Sequence, residues 1–332
     1  VGYIRIGNFG ATTYREFMEG IKLLKKQGMK DLILDLQDNG GGYLDAAVEI
    51  SNEFLGKDEL IVYTEGRRVV RKDFRSKGNG EMSQGKVFVL TNEFTASAAE
   101  IVSGAIQDND RGCIIGRRTF GKGLVQRPLE LPDGSMIRLT IAHYFSPSGR
   151  CIQKPYTKGD RKEYDNDFDN RLKHGELTNR DSIHFADSLK FYTLKEHRPV
   201  YGGGGIMPDI FVPLDTLRYT KSYRQILAKG LLINNCIKYS DNNRKRLNHE
   251  YPSYEIFDIS FKVPQKLIDT ILKEAEEQKI EPKDEEERIK TLALLNLQIK
   301  ALIARDLFDI NEYFRIINEN SDIVKAALQQ LQ

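Results

Sequence analysis

Apolar and polar positions follow two rhythms along the first two thirds of the chain. Short apolar runs at 1–6, 31–36, 86–91 and 113–116 read as buried strands. Between them, 13–26, 44–55 and 97–107 carry apolar residues at helical spacing. In the first of these Phe17, Ile21 and Leu24 share one face, and Gly28 fits its end. Segments 60–64 and 68–74 read as a hairpin around Glu65-Gly66-Arg67, and 124–130 with 136–145 as another around Leu131-Pro132-Asp133-Gly134. A polar loop spans 76–84, and 206–212 reads as a last core strand. This alternation predicts an α/β layered core over 1–214.

The core is interrupted by a polar excursion over about 154–198, with Asp160-Arg161-Lys162-Glu163-Tyr164-Asp165 at its centre. It reads as a mobile surface loop or as a cover for a cleft, the loop being the simpler expectation. After about Asp215 the pattern changes, and 215–332 is expected to form a mainly helical C-terminal domain. Helices are predicted over most of 217–239 and over 264–277, 284–306 and 310–330, while 254–261 alternates like a short strand. In 284–306 an apolar face (Ile289, Leu292, Leu295, Ile299, Leu302 and Ile303) serves equally as core or as a contact between copies of the chain. Segment 274–288 is densely charged with both signs mixed and reads as a solvated face.

Composition narrows the function classes. A chain of 332 residues has room for two domains. Its formal net charge of +2 gives no electrostatic footprint for nucleic acid. No run of about 18 apolar residues marks a membrane span. The cysteines Cys113, Cys151 and Cys236 form no C-x-x-C pattern, and the five histidines form no ligand spacing, so no metal and no cofactor is expected.

The candidate chemistry lies between Asn92 and Gln126. Ser97 stands where an apolar strand gives way to a helix, and Lys122 lies between Gly121 and Gly123. A serine hydroxyl needs a base to become a nucleophile. A lysine serves when its amine is neutral, which burial without a neighbouring carboxylate favours. Gln126 is uncharged and suited to orient that amine. The Ala98 N–H, at a helix start, suits a developing oxyanion. A second donor is expected from Asp38-Asn39-Gly40-Gly41-Gly42, between strand and helix.

Each residue also has a plainer reading. Ser97-Ala98-Ala99-Glu100 fits a capping box, Lys122 a surface lysine, and the three glycines a turn. Segment 116–123 nearly matches the phosphate-binding pattern G-x-x-x-x-G-K-[ST]. However, Gly123 replaces the hydroxyl residue, and a strand rather than a helix follows. A Ser–His pair using His143 is the nearest enzymatic rival.

In combination these segments resemble the C-terminal processing (tail-specific) serine proteases. Leu34-Asp35-Leu36-Gln37-Asp38-Asn39-Gly40-Gly41-Gly42 is similar to that family's oxyanion segment, 92–101 to its nucleophile segment and 119–126 to its lysine segment. Segments 144–153 and 205–210 resemble two of its structural signatures. Gln37 stands where the family usually has arginine, and Thr95 and Ala99 where it often has serine. The resemblance implies a ClpP/crotonase-like fold of β-β-α units. It implies Ser97 as nucleophile, Lys122 as base, Gln126 orienting the lysine, and Gly41 with Ala98 as the oxyanion hole. Asp108 takes a secondary role.

The implied substrates are unfolded or tail-exposed proteins, cleaved at or near their C-terminal tails in a periplasmic or extracytoplasmic compartment. The family normally carries a peptide-binding PDZ domain before the core, whereas residues 1–6 already read as a core strand. The sequence is therefore expected to be a fragment, or a chain whose front part has been removed, and an activating partner is compatible with this. Two other readings stay open. One is a non-catalytic peptide-binding scaffold, and the other is a crotonase-like acyl-transfer enzyme.

Overall fold

The computed structural model describes residues 1–156 and 166–331. The chain divides into two compact units, Val1–Pro213 with Ala326–Gln332, and Leu214–Lys325.

In the first unit the elements follow in the order β1 (Gly2–Arg5), α1 (Thr13–Lys26), β2 (Leu32–Asp35), α2 (Leu44–Asn52), β3 (Leu60–Gly66), β4 (Val69–Arg75), β5 (Val87–Thr91), α3 (Ala98–Asp108), β6 (Cys113–Gly116), β7 (Leu124–Glu130) and β8 (Met136–Phe145). After these come α4 (Asp167–Lys173), β9 (Lys190–Tyr192), β10 (Pro199–Tyr201) and β11 (Ile210–Phe211). Five strands form one parallel sheet in the order β1-β2-β5-β6-β11. Its central strands are buried throughout, which is why β2 and β5 read as continuous apolar runs rather than alternating ones. Every residue of α3 is buried as well. An antiparallel sheet, β4-β3-β8-β7, carries the two hairpins.

The core is thus α/β with a parallel sheet, and the C-terminal region is helical. The parallel arrangement bears on the site. β2 and β5 run side by side, with Leu34 opposite Val89, so the loops after their C-terminal ends emerge together. One of those loops is 37–43 and the other leads to Ser97.

Part of the polar excursion, 157–165, lies outside the described residues. The described remainder is a folded element rather than a loose loop: helix α4, two 3₁₀ turns, and strand β9 paired with β10.

The second unit holds α5 (Lys221–Ala228), α6 (Leu231–Glu250), α7 (Tyr254–Ser260), α8 (Gln265–Glu277), α9 (Glu285–Leu307) and α10 (Ile310–Asn318); α11 (Asp322–Gln329) follows. Leu295, Ile299, Leu302 and Ile303 of α9 are core, while Ile289 is 59% exposed.

Two expectations are corrected. Residues 254–261 are helical, because Tyr254, Phe257 and Phe261 share a helical face and the rings of Phe257 and Phe261 stack at 4.4 Å. Ile259, on the opposite side of this helix, is 89% exposed. The single helix expected over 310–330 breaks at Glu319–Ser321, where Ser321 Oγ accepts the Val324 N–H and starts a new helix.

Candidate active site

Ser97 precedes the first residue of α3 with φ 58° and ψ −117°. A non-glycine residue in that region costs of order 1–3 kcal/mol, and such strain persists only where the surroundings over-determine it. The surroundings here are explicit. The Ser97 N–H donates to Glu100 Oε2 at 2.8 Å, and the Ala96 N–H to Asn39 O at 2.8 Å. Thr95 Oγ1 donates to Leu36 O at 2.8 Å and accepts the Asn92 N–H at 2.9 Å. Gly41, at φ 96°, packs backbone against this turn, and a Cβ there would lie 2.6 Å from Ser97 Cβ and 2.8 Å from Ala98 N. Only glycine permits that approach.

The loop after β2 is braced in turn. Asn39 Nδ2 donates to Ile6 O at 2.7 Å. The Arg5 guanidinium spans Asp35 Oδ2, Gln37 O and Asp38 Oδ2. The Gly41 N–H, expected from sequence as an oxyanion donor, donates to Asn39 Oδ1 at 2.8 Å in this structure. Gly41 is required here for its lack of a side chain, and its N–H is already engaged. The Ala98 N–H keeps its expected place at the start of α3.

Glu100 joins the nucleophile turn to the lysine loop. Its buried carboxylate takes the Ser97 N–H and also, from residues 119–122, the Thr119 hydroxyl at 2.5 Å, the Gly121 N–H at 2.7 Å and the Lys122 N–H at 2.8 Å. Burial pushes this carboxyl above the usual glutamate value, while the four donors pull it back. Sequence spacing marked Glu100 as a capping residue, which its bond to the Ser97 N–H matches. Its grip on the lysine loop was not legible.

Lys122 is half-buried, its carbonyl accepts the Tyr144 hydroxyl, and among the described residues no carboxylate pairs with its amine. Gln126 is exposed on β7, next to a register shift between Val125 and Gln126. Ser97, Ala98, Gly41, Lys122 and Gln126 all line one cleft of about 1070 Å³, with Phe9, Tyr43, Leu44, Ile101, Leu124 and Tyr144 as apolar wall. Asp45, Glu49 and Arg138 supply its charged rim. Among the described residues no hydrogen bond links Lys122 Nζ to Ser97 Oγ or to Gln126, an open arrangement common before a substrate docks.

Three sequence candidates fall elsewhere. Asp108 closes the far end of α3, fully buried against Arg150 at 2.6 Å, and accepts both the Ser148 N–H and hydroxyl. It anchors the 146–150 turn and is absent from the cleft lining. His143 pairs with Glu65 and Leu124 in the antiparallel sheet, and no histidine lines the cleft. Gly123 leads directly into β7, so the phosphate-type pattern at 116–123 has no helix start behind it. The three cysteines are free.

The model of peptidase family S41 matches residues 1–162. That stretch, just under half of the chain, is similar to S41 peptidases. A carboxyl-terminal-processing protease of Picosynechococcus sp. is 42% identical over 154 residues, covering 46% of this chain and 37% of that protein. The carboxy-terminal processing protease CtpA of Bacillus subtilis is 36% identical over 168 residues, covering 49% of this chain and 36% of that protein. The chain thus spans little over a third of these relatives' length. The solved photosystem II D1 C-terminal processing protease aligns with 65% of this chain and 43% of its own, at 28% identity and a TM-score of 0.46. Residues 222–309 match a family of unknown function. Among the described residues no helix is long and apolar enough to cross a membrane.

Proposed function

We propose that the S41-like domain is a serine endopeptidase that cuts proteins at or near their C-terminal tails through a Ser97/Lys122 acyl-enzyme. The observation carrying this reading is the strained Ser97 turn, tied by one buried carboxylate to the loop of Lys122, with both facing one cleft. Lys122 Nζ acts as the base and takes the Ser97 Oγ proton as Oγ attacks the scissile carbonyl carbon. The tetrahedral oxyanion is held by the Ala98 N–H and by a donor from the loop after β2. As the C–N bond breaks, Lys122 returns the proton to the leaving amine. Water, deprotonated by the same amine, then hydrolyses the ester and restores Ser97. Gln126 orients the amine. Substrate docking closes the open dyad, a step that an activating partner would also serve.

The substrates are unfolded or tail-exposed proteins, and the relatives that support action at tails are carboxyl-terminal-processing proteases. The compartment proposed is periplasmic or otherwise extracytoplasmic, and the helical region is a candidate contact between copies of the chain. Intact mass spectrometry of an unfolded protein with an apolar C-terminal tail tests the chemistry. Wild type should shorten it, and Ser97→Ala and Lys122→Ala should each lower the rate at least a thousandfold. Cleavage by either variant at the wild-type rate would falsify the assignment.

A further inference from the structure

The loop that carries Lys122, residues 117–123, has no regular secondary structure, so its backbone groups need individual partners. The core supplies most of them. The N–H groups of Arg117, Thr119 and Phe120 donate to Thr91 O, Ile206 O and Thr95 O, and that of Gly123 to Gln153 Oε1. Glu100 takes the N–H groups of Gly121 and Lys122. The carbonyls of Arg117, Gly121, Lys122 and Gly123 accept from Thr91 Oγ1, Lys154 N, the Tyr144 hydroxyl and Tyr144 N.

Two adjacent carbonyls are satisfied from outside this set. Arg171 Nη2 donates to Arg118 O at 2.8 Å, and Arg171 Nη1 to Thr119 O at 3.2 Å. Arg171 comes from α4, within the polar excursion, and its side chain is only 4% exposed. The helix and the turn after it make further contacts with this loop and with the segment before Ser97. Asp167 pairs with Lys154 at 3.2 Å, and the Lys154 ammonium lies 3.9 Å from the Phe120 ring centroid. Phe168 stacks on Phe94 at 5.3 Å. Glu176 accepts from the Arg118 guanidinium.

A guanidinium withdrawn from water needs compensation. Arg171 has Asp167 at 3.6 Å and Glu176 at 3.8 Å. Burial, then neighbouring Arg118, pull it down to about 10, still charged at neutral pH. Among the described residues its Nε has no hydrogen-bond partner, Glu176 Oε2 standing 3.8 Å away. A buried arginine with an unsatisfied nitrogen is a poor device for stability alone. Its two well-made bonds go to the carbonyls three and four residues before the proposed base.

We infer that Arg171 is a positioning residue for Lys122. By gripping the Arg118 and Thr119 carbonyls it fixes the path of the lysine loop, and the amine reaches its working geometry only with α4 docked. This rests on the Ser97/Lys122 reading. The polar excursion is then part of the catalytic apparatus, although none of its described residues lines the cleft.

The test uses the full chain with three variants. Arg171→Met keeps length and removes the donors, Arg171→Lys keeps charge and one donor site, and Phe168→Ala loosens α4 without touching the guanidinium. Two quantities are read: steady-state cleavage of a tail peptide, and amide hydrogen exchange. Arg171→Met should lower kcat at least tenfold with KM within about twofold. Amides at 119–123 should exchange at least tenfold faster, with those of α1 and β2 unchanged. Arg171→Lys should recover part of both effects. Phe168→Ala should shift both in the same direction by less, and it carries the test if Arg171→Met does not fold. Unchanged kcat and exchange in a folded Arg171→Met chain overturn the inference, as does faster exchange spread evenly through the first unit. If wild type cuts no tail substrate the Ser/Lys reading falls. Exchange then decides the anchoring by itself: acceleration confined to 119–123 upholds it, and none overturns it.

Discussion

The two units of this chain spend buried volume differently. In the second, the core is almost wholly apolar: Phe257, Leu295, Ile299 and Ile303 are its type, and Glu287 is its one buried charged residue among those described. Its single non-glycine residue with positive φ is Lys279, just past the end of α8. In the first, Asp35, Glu93, Glu100, Asp108, Arg150 and Arg171 are all buried, and Asp38, Asp58, Ser97, Asp110 and His197 take positive φ. Asp38 and Ser97 stand on the two neighbouring loops that meet at the cleft. Strain and buried charge are what a preorganised site requires and what a plain core avoids. The contrast therefore singles out the first unit for the proposed chemistry, independently of any motif.

The largest effect that tests this contrast is at Glu100. Glu100→Ala leaves the N–H groups of Ser97, Gly121 and Lys122 without their acceptor, at about 1–3 kcal/mol for each that water cannot reach. Cleavage should fall at least a hundredfold, and the first unit should unfold at a visibly lower denaturant midpoint. Near-wild-type cleavage by Glu100→Ala would show that the two loops hold their places without this carboxylate. The counterpart in the helical unit is Leu295→Ala, which opens a cavity in an apolar core and should cost about 2–5 kcal/mol. Exchange of α9 amides in the unfolding regime reads that loss directly. A cost below about 1 kcal/mol would mean that this core is loosely packed.

Legibility from sequence follows the same division. β2, β5 and β6 were readable because strands buried on both faces become short apolar runs, and motif spacing picked out Ser97, Lys122, Ala98 and Gln126, the residues of the proposed site, which line one cleft. What failed was contact between segments distant in sequence. Three consecutive glycines do not reveal that Asn39 Oδ1 claims the Gly41 N–H. Glu100 displays its local capping role, while its grip on 119–122 exists only in three dimensions. Arg171 looks like one more charge in a polar stretch, because its partners are backbone carbonyls far upstream. In the helical unit the error was of period: Tyr254 to Phe261 alternates, but its aromatic residues also fit 3.6-residue spacing, and stacking decides.

A smaller effect concerns the strain itself. Ser97→Gly and Ser97→Ala both lose the hydroxyl and should both be inactive, yet they differ in backbone. Glycine adopts φ 58°, ψ −117° freely, whereas alanine keeps the Cβ that makes this conformation costly. The relief is of order 1–3 kcal/mol, offset by up to about 1 kcal/mol of extra unfolded-state entropy for glycine. Ser97→Gly should therefore be more stable than Ser97→Ala by about 1 kcal/mol. Equal denaturant midpoints would remove strain from the account of this site and weaken the contrast between units.

The smallest effect lies in the helical unit, at its one buried charge. The Glu287 carboxylate accepts the Ser222 N–H and hydroxyl at 3.0 Å each and the Lys283 N–H at 3.1 Å, while the Glu287 N–H donates to Asp284 Oδ1 at 2.8 Å. The Ser222 and Lys283 N–H groups hold its pKa below the usual glutamate value of 4.5. A carboxyl depressed on folding stabilises the folded state above its unfolded pKa, and that contribution fades as pH falls through the folded value. The stability of α5 and α9 should thus hold from neutral pH to about 4.5 and decline below it, by an amount that Glu287→Gln removes. Exchange protection of α5 amides in wild type and Glu287→Gln, followed from pH 6 to pH 3, reads the difference. If the two lose protection in parallel, this buried carboxylate contributes no charge-dependent stability, and the helical unit rests on apolar packing alone.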